Sequence, residues 1–214
     1  MDPVEIKIEP LGADADAPTA QAALSLLCDV FVAGSSLHAA LGLEAADYQH
    51  YLRPLFAAEL EQELSLVARS EADGRVMGCL LACDYTKQAA HPQPPEQLQP
   101  LRALLAELEK RYRQHRDPQP GQALLVDMAA VATGASGQGV YQALRLAAHE
   151  RGRAAGFRYA VGELSSSATQ HVCVERLGQQ VIAELRFDNF EYAGTFPFAN
   201  ISAPATLQLV EAVL

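Results

Sequence analysis

Asp127 is the one charge in an apolar run, Ala123 to Ala132, that leads into the glycine-rich turn Thr133-Gly134-Ala135-Ser136-Gly137-Gln138-Gly139. An acid in a part-covered apolar setting is the kind of group that proton transfer near neutral pH needs. A strand that ends in a glycine-rich turn and opens a helix can hold a phosphate. Glycines let the backbone approach an anion, and the first free N–H groups of the helix point at it. Here Gly137, Gln138, Gly139 and Val140 would offer those groups. His171 is a second candidate base, acting directly or through water. His38 lies in an early loop beside Ser35 and Ser36, whose hydroxyls can bind a substrate but are weak bases.

Each feature also has a plain structural reading. A glycine turn before a helix is often only a turn, and short motifs match by chance. An acid at a strand edge often pairs with a structural partner, and a lone helical histidine usually sits on the surface. Cys173 suits a core position better than a nucleophile's role. Several chemistries are excluded. The turn lacks the Lys-Ser/Thr of a triphosphate loop. The dinucleotide fingerprint needs Gly or Ala where Gln142 stands. No cysteine, histidine or carboxylate spacing suits a metal, and no Gly-x-Ser-x-Gly elbow is present.

The elements that must carry these residues can be read from periodicity. Glu5-Ile6-Lys7-Ile8 alternates as a short strand. A helix from about Thr19 buries Ala23, Leu24, Leu27, Val30 and Phe31, and Gly34-Ser35-Ser36 interrupts it. A second helix spans about Ala45 to Gln62, which Pro54 should kink or split. Leu64–Arg69 and Val76–Tyr85 form a hairpin across an Asp73-Gly74 turn. A proline-rich linker (Ala90 to Pro95) and a helix marked by Leu98, Leu101, Leu105, Leu108 and Tyr112 form an insertion at about 88–120 in a single domain of 214 residues. Val140 opens the helix after the glycine turn, and Tyr159–Leu164 is the next strand. Ser165-Ser166-Ser167 caps a helix running to Leu177-Gly178. Val181–Phe187 reads as a final long strand. Thr206–Leu214 reads as a last strand or helix that could pair with a second chain.

Half of the residues are apolar and a fifth are charged, which describes a globular α/β chain rather than a disordered one. The net charge of −10 repels a phosphate backbone, so nucleic acid is not an expected partner. No apolar run reaches membrane-spanning length, and the first residues, Met1-Asp2-Pro3-Val4-Glu5, do not read as a secretion signal. Cys79 and Cys83 share one face of a strand, and all four cysteines suit a reduced cytoplasmic core.

Val131 to Val140 and the helix behind them resemble motif A of the GNAT acyltransferases, whose loop reads Arg/Gln-x-x-Gly-x-Gly/Ala. Ser136, Gly137, Gln138, Gly139, Val140 and Tyr141 occupy those places. Thr169 to Gly178 resembles the motif B helix. Phe187 to Phe198 and Phe31 to Gly42 are similar to the ending and the early helix-loop of the arylalkylamine N-acetyltransferase branch. The resemblance implies a mixed, mostly antiparallel sheet with helices on both faces. It also implies acetyl transfer from acetyl-CoA directly to a small primary amine, with no metal, by a monomer or homodimer. Ala129, Ala130 and Val131 would face the thioester, and Ser136 to Tyr141 the pyrophosphate. Asp127 stands near the place where this branch carries a histidine or acid.

The chain departs from the family at four places. Ser136 replaces the basic or amide residue of the loop. Tyr141 replaces a small residue, and Val174 replaces the motif B tyrosine that often protonates the thiolate. Ser35 and Ser36 stand where the insect-type branch has Glu-Pro. Arg145, one turn further along the helix, is a candidate replacement for the missing charge. These departures keep a second reading open, a non-catalytic GNAT-fold protein that binds acyl-CoA as a sensor or interaction module.

Overall fold

The computed structural model describes residues 5–214, so the N-terminal reading falls mostly on residues 1–4, outside the described residues. In chain order the elements are β1 (Ile6–Pro10), α1 (Pro18–Gly34), α2 (Ser36–Leu41), α3 (Ala45–Leu60), β2 (Leu66–Ser70), β3 (Val76–Asp84), α4 (Gln99–His115), β4 (Ala123–Val131), α5 (Val140–Ala154), β5 (Tyr159–Leu164), α6 (Ser167–Gln170), β6 (Gln180–Arg186) and β7 (Thr206–Val213). The strands form one sheet in the order β1-β2-β3-β4-β5-β7-β6. Only β4 and β5 run parallel; every other neighbouring pair is antiparallel.

Two apolar layers cover the sheet. On one face Cys79, Leu81, Cys83 and Leu125 pack with residues of α1, α3 and α4. On the other, Leu80, Ala82, Leu124 and Val126 pack with Val140, Leu144 and Ala148 of α5. The almost unbroken apolar run of β3 follows from this double cover. All four cysteines are buried and free.

The sheet has one defect that matters for function. Ala82 pairs with Val126 and Leu81 with Met128, so Asp127 is an extra residue without a partner on β3. Such a bulge inverts the alternation of a strand. Ala123 and Leu125 belong to the first layer before it, whereas Met128 and Ala130 belong to it afterwards. β4 meets β5 only from Ala123↔Tyr159 to Val126↔Gly162. Beyond Val126 the two strands part, and the β4 edge from Asp127 to Val131 has no strand beside it.

Several boundaries differ from the sequence reading. α3 is one continuous helix through Pro54. Pro54 and His50, one turn earlier, are both exposed, so water can solvate the carbonyl that proline leaves without a donor. The helix after Ser166 is α-helical for one turn and π-helical over His171–Arg176, which brings Cys173 into the core. Val181–Phe187 is not the final strand. β7 follows it and inserts between β5 and β6. Both edges of β7 are therefore paired, and it offers no edge to a second chain.

Helix α4 is fastened to this arrangement by Glu211 on β7, which is 5% exposed. The Tyr112 hydroxyl donates to it at 2.7 Å, and Arg116 clasps both of its oxygens at 2.8 and 2.9 Å. The opposite layer is fixed by close approach. A Cβ on Gly78 would stand 3.0 Å from Val140, 3.1 Å from Leu144 and 3.1 Å from the Ala130 carbonyl. Gly78→Ala is therefore expected to destabilise the fold by about 1–3 kcal/mol through overpacking. Urea unfolding of the variant measures it, and an unchanged midpoint would contradict the close packing of α5 on β3.

Candidate active site

The parting of β4 and β5 opens a cleft of about 510 Å³ between the free edge of β4, the first turn of α5 and the α6 segment. Ala129, Ala130 and Val131 line it, with Ser136, Gly137, Gly139, Val140 and Tyr141. Their unpaired backbone groups can pair with an extended ligand as a further strand would. Gly139 has φ 82°, a left-handed turn that starts α5 and leaves the N–H groups of its first turn without helical partners. Gln138 is turned away from the cleft. Its N–H donates to the Ala135 carbonyl at 3.3 Å, and its side-chain amide donates to the Gly134 carbonyl at 2.9 Å.

Basic side chains are scarce at the cleft. Arg176 donates to His171 Nε2 at 3.2 Å. Arg145 does not reach the loop. It is 1% exposed, donates to Gln179 at 2.8 Å and lies against Gly162 at the last β4–β5 pair. His171 borders the cleft but is exposed and bound to Glu175 at 2.8 Å, which places it away from Asp127.

A second cavity of about 150 Å³ lies behind the bulge, under α2, α3 and α4. It meets the cleft at Phe31, Ser35, Ala129, Tyr141, Ser165 and Thr169, which border both. Asp127 lines this inner cavity, two positions before Ala129 along β4. Ser35 caps α2 and accepts from the His38 N–H at 3.5 Å. His38 Nδ1 lies 3.0 Å from the Ser35 hydroxyl, and its ring packs edge-on against Phe31 and Tyr48. Burial lowers the His38 pKa to about 4, so this wall is neutral. Ser36 borders only the outer cleft.

Two carboxyls that the sequence reading did not single out complete the site. Glu59 on α3 is 5% exposed, and its pKa is pushed well above the usual carboxylate range. Burial is the first cause, followed by the nearby charge of Asp127 and a hydrogen bond to it. Burial thus favours the protonated form of Glu59, whose Oε2 has no hydrogen-bond partner among the described residues. Glu163 on β5 has its pKa raised to about 8, by burial and then by Asp127, against an opposing pull from Arg102. Glu59 interrupts the apolar stripe Leu52, Leu55, Phe56 and Leu60, and Glu163 is the lone charge of its strand. Both signals stood in the sequence. At the junction Tyr141 Oη lies 3.4 Å from Cys173 Sγ, and burial drives the tyrosine pKa upward. Among the described residues, no group of three or more His, Cys, Asp or Glu side chains is placed to hold a metal ion. No helix there is long and apolar enough to cross a membrane.

Nearly the whole chain superimposes on several solved structures. The C-terminal condensation domain of Ebony, solved with beta-alanyl-dopamine, matches with a TM-score of 0.86 at 17% identity, over 99% of this chain and 100% of that one. Arylalkylamine N-acetyltransferase 2 from Aedes aegypti matches at 0.75 and 18% identity, over 98% and 99%. A Drosophila melanogaster polyamine N-acetyltransferase that forms N-acetylagmatine matches at 0.70 and 18%, over 98% and 100%. No family model and no curated protein sequence matches the chain. The fold is the GNAT acyltransferase fold, in the form shared with the arylalkylamine N-acetyltransferases.

The raised carboxyls have a consequence for stability. A carboxyl whose pKa is higher in the folded state holds its proton longer there, so stability falls as pH rises from the unfolded value through the folded one. His38 and His149, both lowered to about 4, act in the opposite direction, but only below their unfolded value of about 6.5. Between pH 6.5 and 8 the carboxyl effect stands alone. Thermal unfolding across that window is expected to show falling stability, with a shallower slope in Glu163→Gln. A slope unchanged by that substitution would contradict a protonated Glu163.

Proposed function

We propose that the protein is an acyltransferase that moves an acetyl group from acetyl-CoA directly to a small primary amine. One observation carries this reading. The Asp127 carboxyl on the β4 bulge lines the inner cavity two residues before Ala129, where the free strand edge begins to line the cleft. A thioester arm laid along Ala129–Val131 would bring its carbonyl to the junction, and an amine in the inner cavity would approach from the Asp127 side. The fold neighbours named for acting on arylalkylamines and for forming N-acetylagmatine support an amine acceptor.

The roles follow from the positions. Asp127 takes a proton from the ammonium. The amine nitrogen then bonds to the acyl carbon and the carbon–sulfur bond breaks. Backbone N–H groups of the β4 edge stabilise the charge on the carbonyl oxygen. The leaving sulfur takes a proton from Tyr141, the hydroxyl at the junction of cleft and cavity, in place of the motif B tyrosine replaced by Val174, and the tyrosine regains one from the nitrogen of the new amide. The N–H groups at Gly137, Gly139 and Val140 hold the pyrophosphate, without a basic residue at position 136.

Acetyl-CoA at a hundred times its dissociation constant should stabilise the protein by about 2.7 kcal/mol. That is a rise in unfolding midpoint of about 5–10 °C for a chain of this size. Thiol release with a panel of amines measures turnover. The panel should include a beta-alanyl thioester as donor, because the Ebony domain was solved with a beta-alanyl product. Asp127→Asn is expected to lower turnover by roughly a hundred- to ten-thousand-fold. Tyr141→Phe should lower kcat while leaving the acetyl-CoA midpoint shift in place. Stabilisation by acetyl-CoA without turnover of any amine would instead favour the non-catalytic binding role, for which the replacements at 136 and 174 are the motive.

A further inference from the structure

The inner cavity contains a guanidinium with nothing to hold. Arg102 on α4 is half-buried and lines both the 150 Å³ cavity and a narrow extension of about 40 Å³ beyond Asp127. Among the described residues, no carboxylate lies within ion-pair distance of it and no acceptor within hydrogen-bond distance. The apolar wall around it, Leu98, Leu101 and Leu105, supplies no acceptor either.

The acidic groups facing it are engaged elsewhere. Glu109 pairs with Arg113 at 3.0 Å. Asp127 stands beside Glu59 and forms no ion pair with Arg102. Glu163 stays largely protonated at neutral pH even though Arg102 pulls the other way. The remaining neighbours, Tyr51 and His91, bond to each other at 2.9 Å, and the nearby Arg102 charge helps to lower the His91 pKa. The cavity wall therefore carries both Asp127 and a guanidinium that forms no ion pair among the described residues. A part-buried guanidinium without a partner is costly, and its planar fork matches a carboxylate.

We propose that Arg102 binds an anionic group on the acceptor, so that the substrate is an amino acid: a primary amine set against Asp127 and a carboxylate held by Arg102. The proposal rests on the acyltransferase reading above. It separates this cavity from one built for a diamine, whose second ammonium would face Arg102 and be repelled.

Three acceptors of similar length test it with the full chain: δ-aminovalerate, pentylamine and cadaverine. Release of thiol from acetyl-CoA gives kcat/KM, and the midpoint of thermal unfolding reports binding without turnover. Wild type should prefer δ-aminovalerate over pentylamine by roughly tenfold to a hundredfold, the range of a charge-assisted hydrogen bond, with cadaverine last. Arg102→Leu should erase that preference, Arg102→Lys should keep part of it, and Arg102→Glu should move it toward cadaverine. A wild-type preference for pentylamine or cadaverine would overturn the proposal, as would a ranking unchanged in Arg102→Leu. Turnover of arylalkylamines alone, with no stabilisation by δ-aminovalerate, would overturn it and leave the acyltransferase reading standing. No turnover of any amine would overturn that reading instead. In that case an Arg102-dependent stabilisation by δ-aminovalerate would still support the anion site, and its absence would overturn it.

Discussion

The extra residue at Asp127 is the constraint on which the site depends. A sheet with β4 and β5 paired along their full length would leave no cleft. Pairing stops at Val126, and the bulge on the other side of β4 turns Asp127 out of the ladder at the same point. One local irregularity thus adjoins an unpaired strand edge, reverses the faces of the residues that follow, and places the Asp127 carboxyl in the inner cavity, two residues from Ala129 at its junction with the cleft. Arg145 occupies the base of the split, buried against Gly162, so the wedge between the strands is filled by a side chain rather than by solvent.

Charge is distributed against the bulk composition. The chain carries −10, yet burial raises the pKa of two acids near the bulge, Glu59 and Glu163, and the cavity that Glu163 lines contains an unpaired arginine. Burial decides this, because a charge is costly in an apolar wall and a carboxyl can escape the cost by staying protonated, whereas an arginine cannot. Glu163, with its pKa raised, leaves Arg102 without a neutralising partner. The cleft relies on backbone donors, a feature consistent with a loop that has lost its basic residue at position 136.

The sequence made the glycine turn, the hairpin and the helix order legible because each rests on local rules: periodicity, Asp-Gly turn chemistry and serine capping. The cysteines were legible too, as alternate positions on a covered strand. Pro54 was misleading. A proline on the exposed side of a helix costs less than one whose freed carbonyl is buried, and exposure is not a local property. The π-helical turn at His171–Arg176 left no mark in the periodicity, and neither did the insertion of β7 between β5 and β6.

The sequence by itself determined the order of the elements, the lone acid of β4 and the turn that opens α5. Only the tertiary structure decided that Asp127 is a bulge, that Glu59 comes to stand beside it from a helix far away in the chain, and that Arg102 reaches the same cavity unpaired. Register and cavity walls are set by packing between segments distant in sequence. A strand shifted by one residue keeps its composition while exchanging its faces, so no local pattern fixes which side chains meet.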